Sequence, residues 1–259
     1  MSRGLFGPSS VAWKIDRERA VLLGGERALL MQLAHPRVAQ GVSDHSDFRQ
    51  RPFRRLARTV TLSLDGVFGD DAAARQAAGR INAAHRAVRG EGYSAFDPDL
   101  LLWVFATLVE SAAVSYEHFV GPLDEADKDA FLAETMEATR LVGLSRSLTP
   151  TDFAGLRRYV AAEIAKGEVR VSPLGREMGR ATLYPPAAWF VPRPVFDTSA
   201  LVTAALLPAA LREQFGLPWS LRHRAAFEVF ARAVRAAVPR LPDRVRYVPQ
   251  ALEARKRVA

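Results

Sequence analysis

Five histidines carry most of the acid–base and metal-binding chemistry open to this chain: His35, His45, His85, His118 and His223. His85 stands in Ile81-Asn-Ala-Ala-His85-Arg-Ala-Val88, a stretch that reads as helix and puts Ile81, His85 and Val88 on one face. A neutral imidazole on an apolar face, beside alanines that leave room for a flat macrocycle, suits the proximal ligand of a haem iron. The alternative is a core histidine satisfied by a backbone carbonyl. A second group precedes it, Arg55-Leu-Ala-Arg58-Thr59. Helical spacing gathers Arg55, Arg58 and Thr59 on one face, which Leu62 continues. Cationic donors and a hydroxyl there can orient dioxygen or stabilise a developing oxyanion. A solvated basic face is the alternative.

The remaining histidines are less specific. His45 precedes Ser46 near an expected helix end, where it offers a distal acid–base group or a capping and turn role. His35, before Pro36, is either structural or pocket-lining. His118 and His223 suit packing or the surface. Tyr93 and Trp103 read as packing residues that can border a macrocycle. Other enzyme signatures are missing: Gly-x-Gly-x-x-Gly, a Walker A loop, His-Glu-x-x-His, Glu-x-x-His and Gly-x-Ser-x-Gly. The chain has no cysteine, which removes disulfides, thiolate–metal sites and Cys nucleophiles together.

The elements that must position these residues are helices. Apolar positions recur at helical spacing from Ile15 to Leu33, with Gly24-Gly25 marking a kink or a close packing contact. His35-Pro36 breaks the run and starts a new turn. Further helices are expected over 53–67 and 72–88, the latter capped by Asp71. Asp97-Pro98 is a strong start for a helix to about Phe119, apolar nearly all round and therefore central. Others follow over 123–141, from Thr149 to Lys166, and over 196–215 and 220–238. Val169 to Val171 reads as a short extended piece, Tyr184 to Pro194 as a proline-rich crossing, and 239–259 as a C-terminal tail whose last residues, Ala251 to Ala259, are polar and loose. The fold class is all-α, one domain of 1–259 with its core at about 10–238.

With 259 residues, 49% hydrophobic and 25% charged, the chain has ample apolar material for a large core. Its net charge of +8 raises nucleic acid or an anionic membrane as partners. The arginines are spread along the chain, which makes nucleic acid the poorer fit. Acidic small molecules or haem propionates suit the same charge. The N-terminus lacks the apolar core of a secretory signal, and the longest apolar stretch, Ser199 to Leu211, is short of a membrane span. The expectation is a soluble, cytoplasmic protein without a transmembrane segment.

Several stretches, in order, resemble the family of latex-clearing proteins and mycophenolic-acid-pathway (mpaB-type) oxygenases. They are Met31-Gln-Leu-Ala-His-Pro-Arg-Val-Ala-Gln-Gly-Val42, His45-Ser-Asp-Phe48, Arg55-Leu-Ala-Arg-Thr59, His85-Arg-Ala-Val-Arg-Gly90, Tyr93-Ser-Ala-Phe-Asp-Pro98 and Leu101-Leu-Trp-Val-Phe-Ala-Thr-Leu-Val109. Leu207-Pro-Ala-Ala-Leu-Arg212 and Phe215-Gly-Leu-Pro-Trp219 resemble its C-terminal part. The resemblance implies a helical domain with a globin-like core that holds haem b. It implies His85 as the axial iron ligand, Arg89 within reach of a propionate, and Arg55, Arg58 and Thr59 on the distal side. It also implies a haem-dependent oxygenase that brings dioxygen to an apolar, alkene-containing small molecule.

Two departures qualify the resemblance. The rubber-cleaving members have lysine where this chain has Arg58, and arginine cannot shed its proton to approach iron. The distal position is therefore expected to be open or water-filled. Many relatives have histidine where this chain has Phe105, which leaves the 98–119 helix to the core. A non-catalytic haem or hydrophobic-ligand binding protein is the alternative function.

Overall fold

A single helix of 22 residues, Pro98–Phe119, organises the molecule. Asp97 caps it by accepting a hydrogen bond from the Asp99 amide, and Pro98 occupies its first turn. Trp103, Phe105, Val109, Ala113 and Phe119 are buried along it, and the Trp103 indole donates to the Met31 carbonyl at 3.1 Å. Burying one such aromatic contributes roughly 2–3 kcal/mol.

The computed structural model describes residues 4–45 and 52–258, with 52–58 described for their backbone alone. Among these, the helices in chain order are α1 Val11–Asp16, α2 Gly25–Ala34, α3 Pro36–His45, α4 Pro52–Phe68, α5 Asp71–Ala87, α6 Pro98–Phe119 and α7 Glu125–Arg140. After them come α8 Phe153–Lys166, α9 Pro173–Leu183, α10 Arg193–Leu206, α11 Ala209–Gln214, α12 Leu221–Ala237, α13 Asp243–Arg246 and α14 Pro249–Val258. The described sheet is a pair of two-residue antiparallel strands, β1 Arg89–Gly90 and β2 Tyr93–Ser94, with Arg89 opposite Ser94. The fold is all-α and a single domain.

Helix α6 meets α2, α7, α8 and α12, and also a 3-10 segment at Arg19–Gly24. The expected 15–33 helix is divided at that segment. Gly24, where that segment ends, is a close packing contact: a Cβ there would fall 1.9 Å from Ser115 Oγ and 3.0 Å from the Ser111 carbonyl, so glycine permits this approach to α6. Beside it, Arg27 donates to the Leu206 carbonyl at 2.8 Å, to Ser111 Oγ at 2.6 Å and to Glu110 Oε2 at 2.9 Å. This buried network ties α2 and α10 to the centre of α6.

By length and apolarity α6 is a candidate membrane span, contrary to the expectation that no stretch is long enough. Two-thirds of its apolar window (67%) is buried inside the protein, as in a core helix. Other boundaries also differ from expectation. Asp70, not Asp71, caps α5, accepting from the Ala73 amide at 2.8 Å. Pro208 splits the 196–215 region into α10 and α11. The Val169–Val171 segment is not a strand, and α9 occupies a stretch in which no helix was expected. The C-terminal residues are not a loose tail. Helix α14 packs on α4 with Ala251 and Ala254 buried, and Arg246 forms a two-pronged ion pair with the buried Glu18.

Candidate functional site

Helix α5 carries the residue of greatest interest. It is alanine-rich, and Ala74, Ala77 and Ala78 are buried on the face that it turns inward. The small side chains let α5 lie close against α4, its main neighbour. Ile81 and His85 continue that face and are half-buried, with His85 in the final turn. Its carbonyl accepts the Val88 amide that ends the helix.

The His85 imidazole lies edge-on to the Phe96 ring, centroids 5.9 Å apart and planes at 79°. Its Nδ1 is buried and has no hydrogen-bond partner. One turn earlier, Asn82 donates from Nδ2 to the Leu141 carbonyl at 2.9 Å, while its Oδ1 is buried and also unpaired. A buried polar atom without a partner costs roughly 1–3 kcal/mol, and two on neighbouring turns mark a place where the protein alone leaves bonding capacity unused. The carbonyl-satisfied core histidine considered as the alternative is therefore not what α5 presents at Nδ1. Burial lowers the His85 pKa, which favours the neutral imidazole, the form that binds a metal.

One neutral imidazole is the kind of protein ligand that a haem iron can use. A porphyrin supplies four nitrogens and asks the protein for one axial ligand, whereas a bare ion needs a cluster of ligands. Among the described residues no group of three or more His, Asp and Glu side chains is gathered to hold a metal.

The other expected site residues are distributed as follows. Arg89 is exposed in β1, four residues beyond His85. Thr59 is exposed on α4. The side chains of Arg55 and Arg58 lie outside the described residues. His35 is buried with Nδ1 unpaired, at the joint between α2 and α3, and burial and then Arg37 lower its pKa. His118 packs edge-on to Phe227 at 5.3 Å, and His223 pairs with Ser220 Oγ at 2.8 Å while stacking on Trp219. Trp103 and Phe105 are core residues.

One constellation escaped sequence reasoning. The Tyr93 hydroxyl donates to Asp44 Oδ2 at 2.6 Å, and His45 Nε2 lies 3.2 Å from both that hydroxyl and the Arg89 carbonyl. The Tyr93 ring rests on Gly90 and Gly41, where added Cβ atoms would come within 2.6 and 3.2 Å of it. The cluster fastens the end of α3 to the hairpin that follows His85. It gives His45 a bridging role at the helix end, and it makes Tyr93 more than a packing residue. The adjacent Asp44-His45 pair was its sequence signal, but the partner lies 48 residues away.

The family described as ER-bound oxygenase mpaB/B′/rubber oxygenase, catalytic domain, matches residues 13–236. An uncharacterized protein of Mycobacterium tuberculosis and one of Mycobacterium bovis are each 26% identical to the chain over 229 residues, covering 83% of this chain and 88% of theirs. No solved structure gives a significant match.

Proposed function

Because the chain belongs to the mpaB/rubber oxygenase catalytic-domain family, an oxidoreductase family of oxygenases, we propose that it is a haem-b-dependent oxygenase acting on an apolar, alkene-containing small molecule. The observation that carries the haem assignment is the half-buried His85 ring, neutral and with an unpaired nitrogen, on the inward face of α5.

His85 would hold the haem from one side, and Arg89 would reach a propionate. When bound, the haem would supply the activation of dioxygen. The protein's contributions are positional and electrostatic. The buried Ala74 and Ala78 and the half-buried Ile81 give His85 an apolar flank along α5. Arg55 and Arg58 stay protonated at any working pH, so both act as fixed donors rather than proton acceptors. Thr59 adds a hydroxyl that can point a donor or an acceptor at a reactant. An arginine at position 58 stays protonated and so would not compete as a neutral ligand for the haem.

The test is dioxygen uptake by haem-loaded protein offered a panel of apolar alkenes. Uptake that depends on substrate and falls at least about tenfold in Thr59→Val or Arg55→Ala supports the proposal. Haem binding without uptake on any alkene would leave a haem or apolar-ligand carrier instead.

A further inference from the structure

The segment joining α9 to α10 holds large apolar side chains out in water. Trp189 is 87% exposed and Phe190 65%, and Val195, in the first turn of α10, is 55% exposed. The Trp189 and Phe190 rings meet edge-to-face with centroids 6.2 Å apart. The backbone beneath them is tied by turn hydrogen bonds. Pro185 and Ala188 are buried, and the Ala188, Val191 and Val195 amides donate to the carbonyls of Pro185, Ala188 and Pro192 at 2.9–3.0 Å. Pro185, Pro186, Pro192 and Pro194 fix φ through the turn. Prolines and turn hydrogen bonds restrict this backbone, which lowers the ordering cost left when its two aromatic rings make an apolar contact.

Charge indicates what it meets. No carboxylate occurs between Glu177 and Asp197, whereas Arg180 and Arg193 stand at the two feet of this tip. Arg180 is exposed in the last turn of α9, and Arg193 lies over the Tyr184 ring at 4.9 Å and 3.4 Å from Asp197. The whole chain carries +8. Exposed tryptophan and phenylalanine flanked by arginine are suited to the headgroup layer of a bilayer, where the rings enter the acyl boundary and the guanidinium groups meet phosphates.

We propose that residues 184–196 form a membrane-docking tip that seats Trp189 and Phe190 in an anionic lipid surface. The protein would then sit peripherally where apolar molecules concentrate. This inference does not depend on haem.

The experiment uses the full chain and two kinds of vesicle, phosphatidylcholine alone and phosphatidylcholine with roughly a third phosphatidylglycerol. Sedimentation should show binding to the anionic vesicles, weakened about tenfold or more on neutral vesicles or in about 0.5 M salt. Trp189→Ser with Phe190→Ser should abolish binding while circular dichroism is unchanged. Trp189→Phe should keep binding but lose the quenching of tryptophan fluorescence by brominated lipid. The proposal is overturned if the wild type ignores anionic vesicles, or if the double variant binds as the wild type does. It is equally overturned if ultracentrifugation shows the tip holding two copies of the chain together and the substitutions only separate them.

Discussion

Replacing Arg27 by methionine tests whether the buried network on α6 is what holds the bundle's centre together. Arg27 makes three hydrogen bonds of 2.6–2.9 Å, and its side chain and that of Glu110 are 3% and 10% exposed. Methionine roughly fills the space but leaves Glu110 charged and buried, with the Leu206 carbonyl and the Ser111 hydroxyl short of a donor. Removing one member of such a pair costs about 3–5 kcal/mol. Taking a urea slope of about 3 kcal/mol/M, the midpoint should fall by about 1–2 M. The double variant Arg27→Met/Glu110→Leu removes the stranded charge and should recover a good part of that loss. Urea titration followed at 222 nm reads both. A loss below about 1 kcal/mol in the single variant, or a double variant no more stable than the single, would refute this account of the network.

Other consequences can be checked with the same titration. Burial first, and then the nearby Glu134 carboxylate, push the Asp16 pKa up to about 7. The folded state therefore favours the protonated acid, and stability should decline as pH rises from about 4 through 7. The full effect would be about 4 kcal/mol, and the residual solvent contact of Asp16 should keep it smaller. Asp16→Asn should flatten the difference between pH 5 and pH 8, and an unchanged difference would contradict this origin. Gly24→Ala should cost about 2–3 kcal/mol, because its Cβ would meet Ser115 Oγ at 1.9 Å. Pairing it with Ser115→Gly should restore part of the loss, and no restoration would show that the contact is not the cause.

Much of the scaffold was legible in the sequence because its signals are local. Asp97-Pro98 starts α6, Gly167 ends α8 with φ 83°, and the face shared by Ile81 and His85 is there in α5. What was missed depends on distant partners. Helix α9 holds Gly175 and Gly179, which weaken a helix in isolation. In the fold they permit contact, since Cβ atoms there would lie 2.6 Å from the Leu33 carbonyl and 2.7 Å from Phe215. Ser172 and Pro173, the cap and first residue of α9, were the available clue. The C-terminal helices read as tail because their order comes from Glu18 and Arg17, more than 200 residues away: Arg246 pairs with Glu18 at |i−j| = 228, and the Val248 amide donates to the Arg17 carbonyl. The position of His85 was legible, but the unpaired state of its ring nitrogen and of Asn82 Oδ1 depends on what other elements fail to supply.

The central claim is that His85 is the residue that holds haem, and an absorption spectrum tests it directly. Wild-type protein expressed with ample haem, or loaded with haem after purification, should show a Soret band. His85→Ala should lose that band while its circular dichroism stays that of a folded helical protein. A folded wild type that takes up no haem, or a variant with an undiminished and unshifted Soret band, would contradict the assignment.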